Sequence, residues 1–117
     1  MITRFSPDAE AELAEARQWY ARQRQDLDLE FMESIDEALS RIVRDPQLYP
    51  IVYGGLRRAV VRRFPFAVFY ELGANEIHVI AVFHSRRDPE RWHLMSVTLR
   101  SFVRYSEHAK NMLRLVP

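Results

Sequence analysis

The hydrophobic period of this chain changes once, near Pro46, and that change constrains the fold more than any other feature. Before it, Leu13, Ala16 and Tyr20, and then Phe31, Ile35, Leu39 and Ile42, recur at helical spacing. After it, Leu56–Phe64, Phe66–Leu72 and Ile77–His84 are rich in Val, Ile, Phe and Tyr and show little helical period. Two amphipathic helices followed by three strands cannot bury their apolar faces separately. Their economical solution is a sheet with a helical hairpin on one face, an α+β sandwich.

Local signals place the boundaries. Ile2-Thr3-Arg4-Phe5 alternates apolar and polar residues, as a short opening strand does. Ser6 then serves as an N-cap, Pro7 fits the first helical position, and Asp8 and Glu10 suit the positive first turn. Trp19 flanks the first stripe. The second helix starts near Asp26 or Asp28 and ends at Arg44-Asp45-Pro46, because a residue before proline is pushed out of helical geometry. Gln47 to Gly55 reads as a loop, and Gly73-Ala74-Asn75-Glu76 as the turn of a hairpin. The expected order is β-α-α-β-β-β with a small antiparallel sheet. Beyond Trp92, Met95, Phe102, Ala109 and Val116 recur every seventh residue with Leu99 and Leu113 between them, which predicts a C-terminal helix, a strand through Val97-Thr98-Leu99 and Phe102-Val103 being the alternative. The organisation is thus a domain over residues 1–92 and an extension over 93–117.

Length and composition exclude several classes. The 117 residues suffice for one core, and 48% hydrophobic content excludes a disordered chain. Cysteine is absent, so neither disulfides nor thiol chemistry are available. No apolar run approaches the roughly 20 residues of a membrane span, and no signal-peptide core opens the chain, so the cytoplasm is the default expectation and no membrane partner is expected. His78, His84, His93 and His108 lack metal-ligand spacing, and Gly54, Gly55 and Gly73 form no phosphate-cradling loop. No metal and no cofactor are expected.

The net charge of +1 conceals an asymmetry: residues 1–40 carry −6 and residues 41–117 carry +7. Within the basic part, Arg57, Arg58, Arg62 and Arg63 bracket Ala59-Val60-Val61. Strand alternation puts Arg58 and Arg62 on one face and Arg57 and Arg63 on the other, unless a bulge intervenes. Opposite the helices, such arginines would make an open, positively charged surface. Each must reach solvent, a partner or a carboxylate, Glu71 and Glu76 being the carboxylates on neighbouring strands. A second constellation, His84 through Trp92, follows the last strand. It offers a group titrating near neutrality (His84), two fork donors (Arg86, Arg87) and an indole (Trp92) that could stack or anchor.

Several stretches in order resemble the RelE/ParE superfamily of toxins from type II toxin–antitoxin modules, on its ParE-like, plasmid-stabilisation side. They are Phe5-Ser6-Pro7-Asp8-Ala9, Glu12 to Ala16 with Trp19-Tyr20, Phe31 with Ile35 to Leu39, and Pro46 with Pro50. The most specific are Arg57 to Tyr70 and Ile80 to Trp92. The resemblance implies a growth-inhibiting toxin restrained by a cognate antitoxin, and one of two targets. A ParE-like protein would block DNA gyrase without hydrolytic chemistry, with Arg57, Arg58, Arg62, Arg63, Arg86, Arg87 and Trp92 as binding residues. A RelE-like protein would cut messenger RNA on the ribosome without a metal, with His84 as acid or base and Arg62 and Arg86 stabilising charge. The chain departs from the RelE-like pattern: no lysine lies in the core, and Trp92 and His93 stand where a tyrosine is usual. The gyrase-blocking reading is therefore preferred; the endoribonuclease and an attenuated remnant that only binds antitoxin remain alternatives. The apolar stripe of residues 93–117 would need a cover, on the chain itself or on a second copy in a homodimer.

Overall fold

The computed structural model describes residues 1–84. Its elements are β1 (Ile2–Phe5), α1 (Pro7–Gln23), α2 (Leu27–Arg44), β2 (Ile51–Tyr53), β3 (Leu56–Val60), β4 (Phe66–Gly73) and β5 (Glu76–His84). The five strands form one sheet in the order β1-β5-β4-β3-β2, and the helical hairpin covers one of its faces. The α+β class and the N-terminal hairpin agree with the sequence reading. The expected helix over 93–117 lies outside the described residues.

The two helices start differently. The Ser6 hydroxyl accepts the Ala9 amide at 3.0 Å and donates to the Ile80 carbonyl at 2.7 Å, so one buried side chain caps α1 and ties it to β5. Asp26 precedes α2 in the left-handed conformation (φ 63°) and its side chain caps nothing. The faces turned to the sheet carry Ala9, Ala16 and Tyr20 from α1 and Phe31, Ile35, Ala38 and Ile42 from α2. At the centre Phe31 meets Tyr20, Phe64 and Phe66 with ring centroids 5.0–5.3 Å apart. Burying such a ring is worth roughly 2–3 kcal/mol before edge-to-face contacts are added.

Three details differ from the sequence reading. First, the segment read as a loop contains β2, and its approach is pinned by β-strand side chains. Arg57 donates to the carbonyls of Tyr49 (2.6 Å) and Gln47 (3.1 Å), and the Tyr70 hydroxyl donates to that of Pro46 (2.7 Å). Burial pushes the Tyr70 phenol up to about 12. Second, the sheet is mixed, since β1 runs parallel to β5, pairing Ile2 with Glu76 through Phe5 with Val79. Third, β3 stops at Val60 rather than Phe64. Residues 62–65 form a tight connection in which Arg63 takes φ 72° and the Val61 amide bonds the Phe66 carbonyl at 2.9 Å. Continued alternation would aim Phe64 away from the hairpin; the break lets its ring reach Tyr20 and Phe31.

Candidate functional site

Cross-strand register sorts the sheet residues onto two faces. Arg57, Ala59, Val68, Tyr70, Val79 and Val82 share the hairpin face. Leu56, Arg58, Ala67, Phe69, Ala81 and Phe83 share the other. β4 and β5 slip by one residue at Phe69/Tyr70: Phe69 pairs with Ala81 and Tyr70 with Val79, leaving Ile80 as the extra residue of a bulge. Ile80 is fully buried and stands outside the hairpin-side cluster. The second face therefore has an apolar middle, where the rings of Phe69 and Phe83 stack at 4.6 Å. This corrects the expectation of an open basic surface, because Leu56, Phe69, Ile80 and Phe83 are at most 3% exposed.

The four strand arginines disperse. Arg57 faces the hairpin side and holds the Gln47–Tyr49 carbonyls. Arg62 and Arg63 lie in the connection beyond β3, not on a strand, and reach back to α2. Arg62 pairs with Glu37 at 3.6 Å and Arg63 with Glu30 at 2.9 Å. The same two glutamates also serve Arg41 and Arg24, each at 2.6 Å. Arg24 first, then Arg63, holds the Glu30 carboxyl below its ordinary value against the opposing effect of burial. Burial opposes but Glu37 outweighs it in raising Arg41, whose guanidinium also donates to the Val60 carbonyl at 2.9 Å. Arg58 alone of the four points to the second face, half-buried beside Phe69, and its Nε is buried without an acceptor among the described residues.

His84 closes β5 with its ring 5.4 Å from that of Phe66. It shares a cleft of about 290 Å³ with Glu12, Glu15, Trp19 and Arg22 of α1. Glu12 has a structural task here: its Oε1 accepts the Val82 amide at 3.1 Å, on the edge of β5 that β1 is too short to cover. Arg62 is thus committed to α2 while His84 rests between α1 and β5. Arg86, Arg87 and Trp92 lie outside the described residues.

At the other end of the second face sits a polar cluster. His78 Nδ1 lies 3.2 Å from Glu71 Oε1 and its Nε2 lies 3.1 Å from Glu76 Oε1, while Arg4 Nε meets Glu76 Oε2 at 2.8 Å. Burial acts to raise the Glu76 carboxyl, but His78 and then Arg4 hold it below its ordinary value. Glu71 and Glu76 therefore face His78 and Arg4 rather than the β3 arginines, and this is a second correction. Among the described residues no group of three or more His, Asp or Glu side chains is arranged to hold a metal ion, and no helix is long and apolar enough to cross a membrane.

Sequence reasoning missed Glu12 and the His78 cluster. Glu12 lies beside the α1 stripe, one residue before Leu13, and no local pattern sets it apart from Glu10 or Glu15. Glu71 and His78 interrupt otherwise apolar runs, and their cross-strand pairing needs the bulged register to be seen.

Comparison with known proteins agrees with this architecture. Residues 3–89 match the family model described as ParE toxin of type II toxin-antitoxin system, parDE. A solved structure titled "Chromosomal ParDE TA system from P. aeruginosa" superposes with a TM-score of 0.63 at 18% identity, covering 72% of this chain and 95% of that one. That likeness bears on the fold. No curated protein sequence gives a significant match. With the family model spanning most of its length, the chain belongs to the ParE toxin family of type II toxin–antitoxin systems.

Proposed function

We propose that this toxin acts by binding, as a ParE-like block of DNA gyrase, and that a cognate antitoxin neutralises it. The observation that carries the reading is the dispersal, among the described residues, of Arg57, Arg58, Arg62 and Arg63. Metal-free cleavage of RNA needs an acid, a base and cations converging on one phosphate. Here Arg57 holds backbone carbonyls, Arg62 and Arg63 are drawn onto Glu37 and Glu30, and His84 sits against Phe66. Among the described residues, the one arginine that lines the cleft of His84 is Arg22 of α1, and none of the β3-region arginines does.

Arg58 supports the antitoxin half of the reading. Its buried Nε has no acceptor among the described residues, and it borders an apolar strip. A partner segment supplying a carboxylate beside apolar side chains would satisfy it. Such a charge-assisted bond is worth about 2 kcal/mol, so Arg58→Gln is expected to weaken antitoxin binding by roughly 30-fold.

The reading is tested by inducing the chain in cells without antitoxin. Trapped, cleaved chromosomal DNA together with intact messenger is the expected result. Cuts within ribosome-bound messenger, mapped by primer extension, would favour the RelE-like alternative. Normal growth with retained antitoxin binding would identify an attenuated remnant.

A further inference from the structure

The β3–β4 connection leans on the flank of α2 that faces away from α1. Positions 30, 37 and 41 lie within roughly 40° of one another round the helix, about 100° from its buried stripe. Asp28, on the opposite flank, pairs with Arg17 of α1 at 4.0 Å. On the first flank each glutamate holds two guanidiniums: Arg24 and Arg63 meet at Glu30, and Arg41 and Arg62 meet at Glu37. Four cations and two carboxylates leave an excess of two positive charges. Glu33 and Arg44, both exposed and roughly 40–60° further round toward solvent, cancel one another.

Arg24, Arg62 and Arg63 form the outer side of this ladder, with side chains 58%, 69% and 60% exposed. Among the described residues Arg63 gives one nitrogen to Glu30, which leaves most donors of its fork to solvent. Stability does not account for the arrangement. Exposed ion pairs add little, and Arg63 keeps a left-handed φ of 72° where glycine would carry no steric cost. Backbone strain of that kind gathers at functional positions. Here it turns a second guanidinium onto the carboxylate that already holds Arg24.

The spacing points to the partner. Glu30 and Glu37 stand two helical turns apart, about 10.5 Å along the axis. One strand of a duplex presents a phosphate every ~3.4 Å of its axis, so the third step lies about 10 Å on. The two arginine pairs therefore match phosphates of one stiff strand, and the planar fork is a donor shape that suits phosphate oxygens. A flexible acidic peptide would first have to be ordered onto the same spacing.

We propose that Arg24, Arg62 and Arg63, held in place by Glu30 and Glu37, form a surface that tracks the phosphate backbone of double-stranded DNA without reading its sequence. The surface belongs to the domain by itself, so its failure would leave the gyrase reading standing. On that reading it meets the DNA that gyrase holds.

The test is titration of the full chain into a fluorescein-labelled duplex, followed by anisotropy at several salt concentrations. Each phosphate contact steepens the fall of log affinity with log salt by about 0.9. Arg62→Gln with Arg63→Gly is therefore expected to weaken binding and to flatten that slope by about 1.8, equally on duplexes of different sequence. Adding Arg24→Gln should bring the flattening to about 2.7. An unchanged slope in the triple variant would overturn the proposal, because other cations would then carry the duplex. Arg62→Lys with Arg63→Lys keeps both charges and should keep most of the slope; a loss equal to that of the neutral variants would assign the effect to folding and also overturn it. Arg4→Gln removes an exposed cation from the edge strand β1 and should leave the slope unchanged. An equal loss per charge there would reduce the ladder to general electrostatics. Tighter binding of poly-glutamate than of the duplex at matched charge would make the partner an acidic protein segment instead.

Discussion

The two faces of the sheet are both buried, but by different means. The hairpin face is closed by side chains from α1 and α2, with Phe31 in contact with Tyr20, Phe64 and Phe66. Three polar side chains there are held by backbone carbonyls of the domain: Ser6 bonds Ile80, Tyr70 bonds Pro46 and Arg57 bonds Tyr49. The second face has a narrower apolar middle, with the Arg58 guanidinium on one side and the Arg4–Glu76–His78–Glu71 chain on the other. The first composition specifies one packing. The second sets buried apolar side chains between charged groups, so its polar contacts weigh more in its make-up. The difference teaches that in this small domain the same strands present two faces of different make-up, one packed on the hairpin and one that sets apolar side chains between charged groups.

The division can be broken most forcefully at Phe31. Phe31→Ala is expected to cost about 3–5 kcal/mol in denaturant unfolding, since the fully buried ring touches three others. A cost below about 1 kcal/mol would mean that the hairpin face is not the stabilising one.

Glu12→Ala tests the seam between the faces. It removes the acceptor of the Val82 amide and is expected to cost about 1–3 kcal/mol, with faster hydrogen exchange at Val82 than at Val79.

A smaller effect is expected at Tyr70. Tyr70→Phe deletes the bond to the Pro46 carbonyl and should cost about 1 kcal/mol at neutral pH. It also changes the alkaline behaviour. The phenol ionises near its ordinary value of 10.0 when unfolded and near 12 when folded. Its contribution is therefore complete below pH 10 and declines as pH rises from 10 through 12. Thermal unfolding across that window should show a fall that Tyr70→Phe reduces.

The smallest effect belongs to the β3–β4 connection. Arg63 at φ 72° is in the left-handed region, where glycine carries no steric cost, so Arg63→Gly relieves roughly 1 kcal/mol of backbone strain. It also removes an exposed pair with Glu30 worth at most about 1 kcal/mol. The expected net change is near zero, whereas Arg63→Ala, which loses the pair and keeps the strain, should be the less stable of the two.

Much of the hairpin face was legible because its signals are local and periodic. Ser6 and Pro7 announced α1, Asp45-Pro46 ended α2, and Phe31, Ile35 and Ile42 marked the buried stripe. The second face was read less well, for physical reasons. Strand alternation was carried through Arg62 and Arg63, but a left-handed residue and Pro65 end the strand first. The bulge at Ile80 shifts which β5 residues face Phe69 and is written nowhere in the residue types. The parallel pairing of β1 with β5 and the ion pairs from Arg62 and Arg63 to α2 are long-range contacts that no local pattern encodes.

The central claim, that this ParE-family protein acts by binding gyrase, is tested most directly by supercoiling with purified components. Antitoxin-free protein titrated into a gyrase reaction is expected to abolish supercoiling in a dose-dependent way and to trap cleaved DNA, with both effects reversed by antitoxin. Undiminished supercoiling at a large molar excess of folded protein would contradict the account.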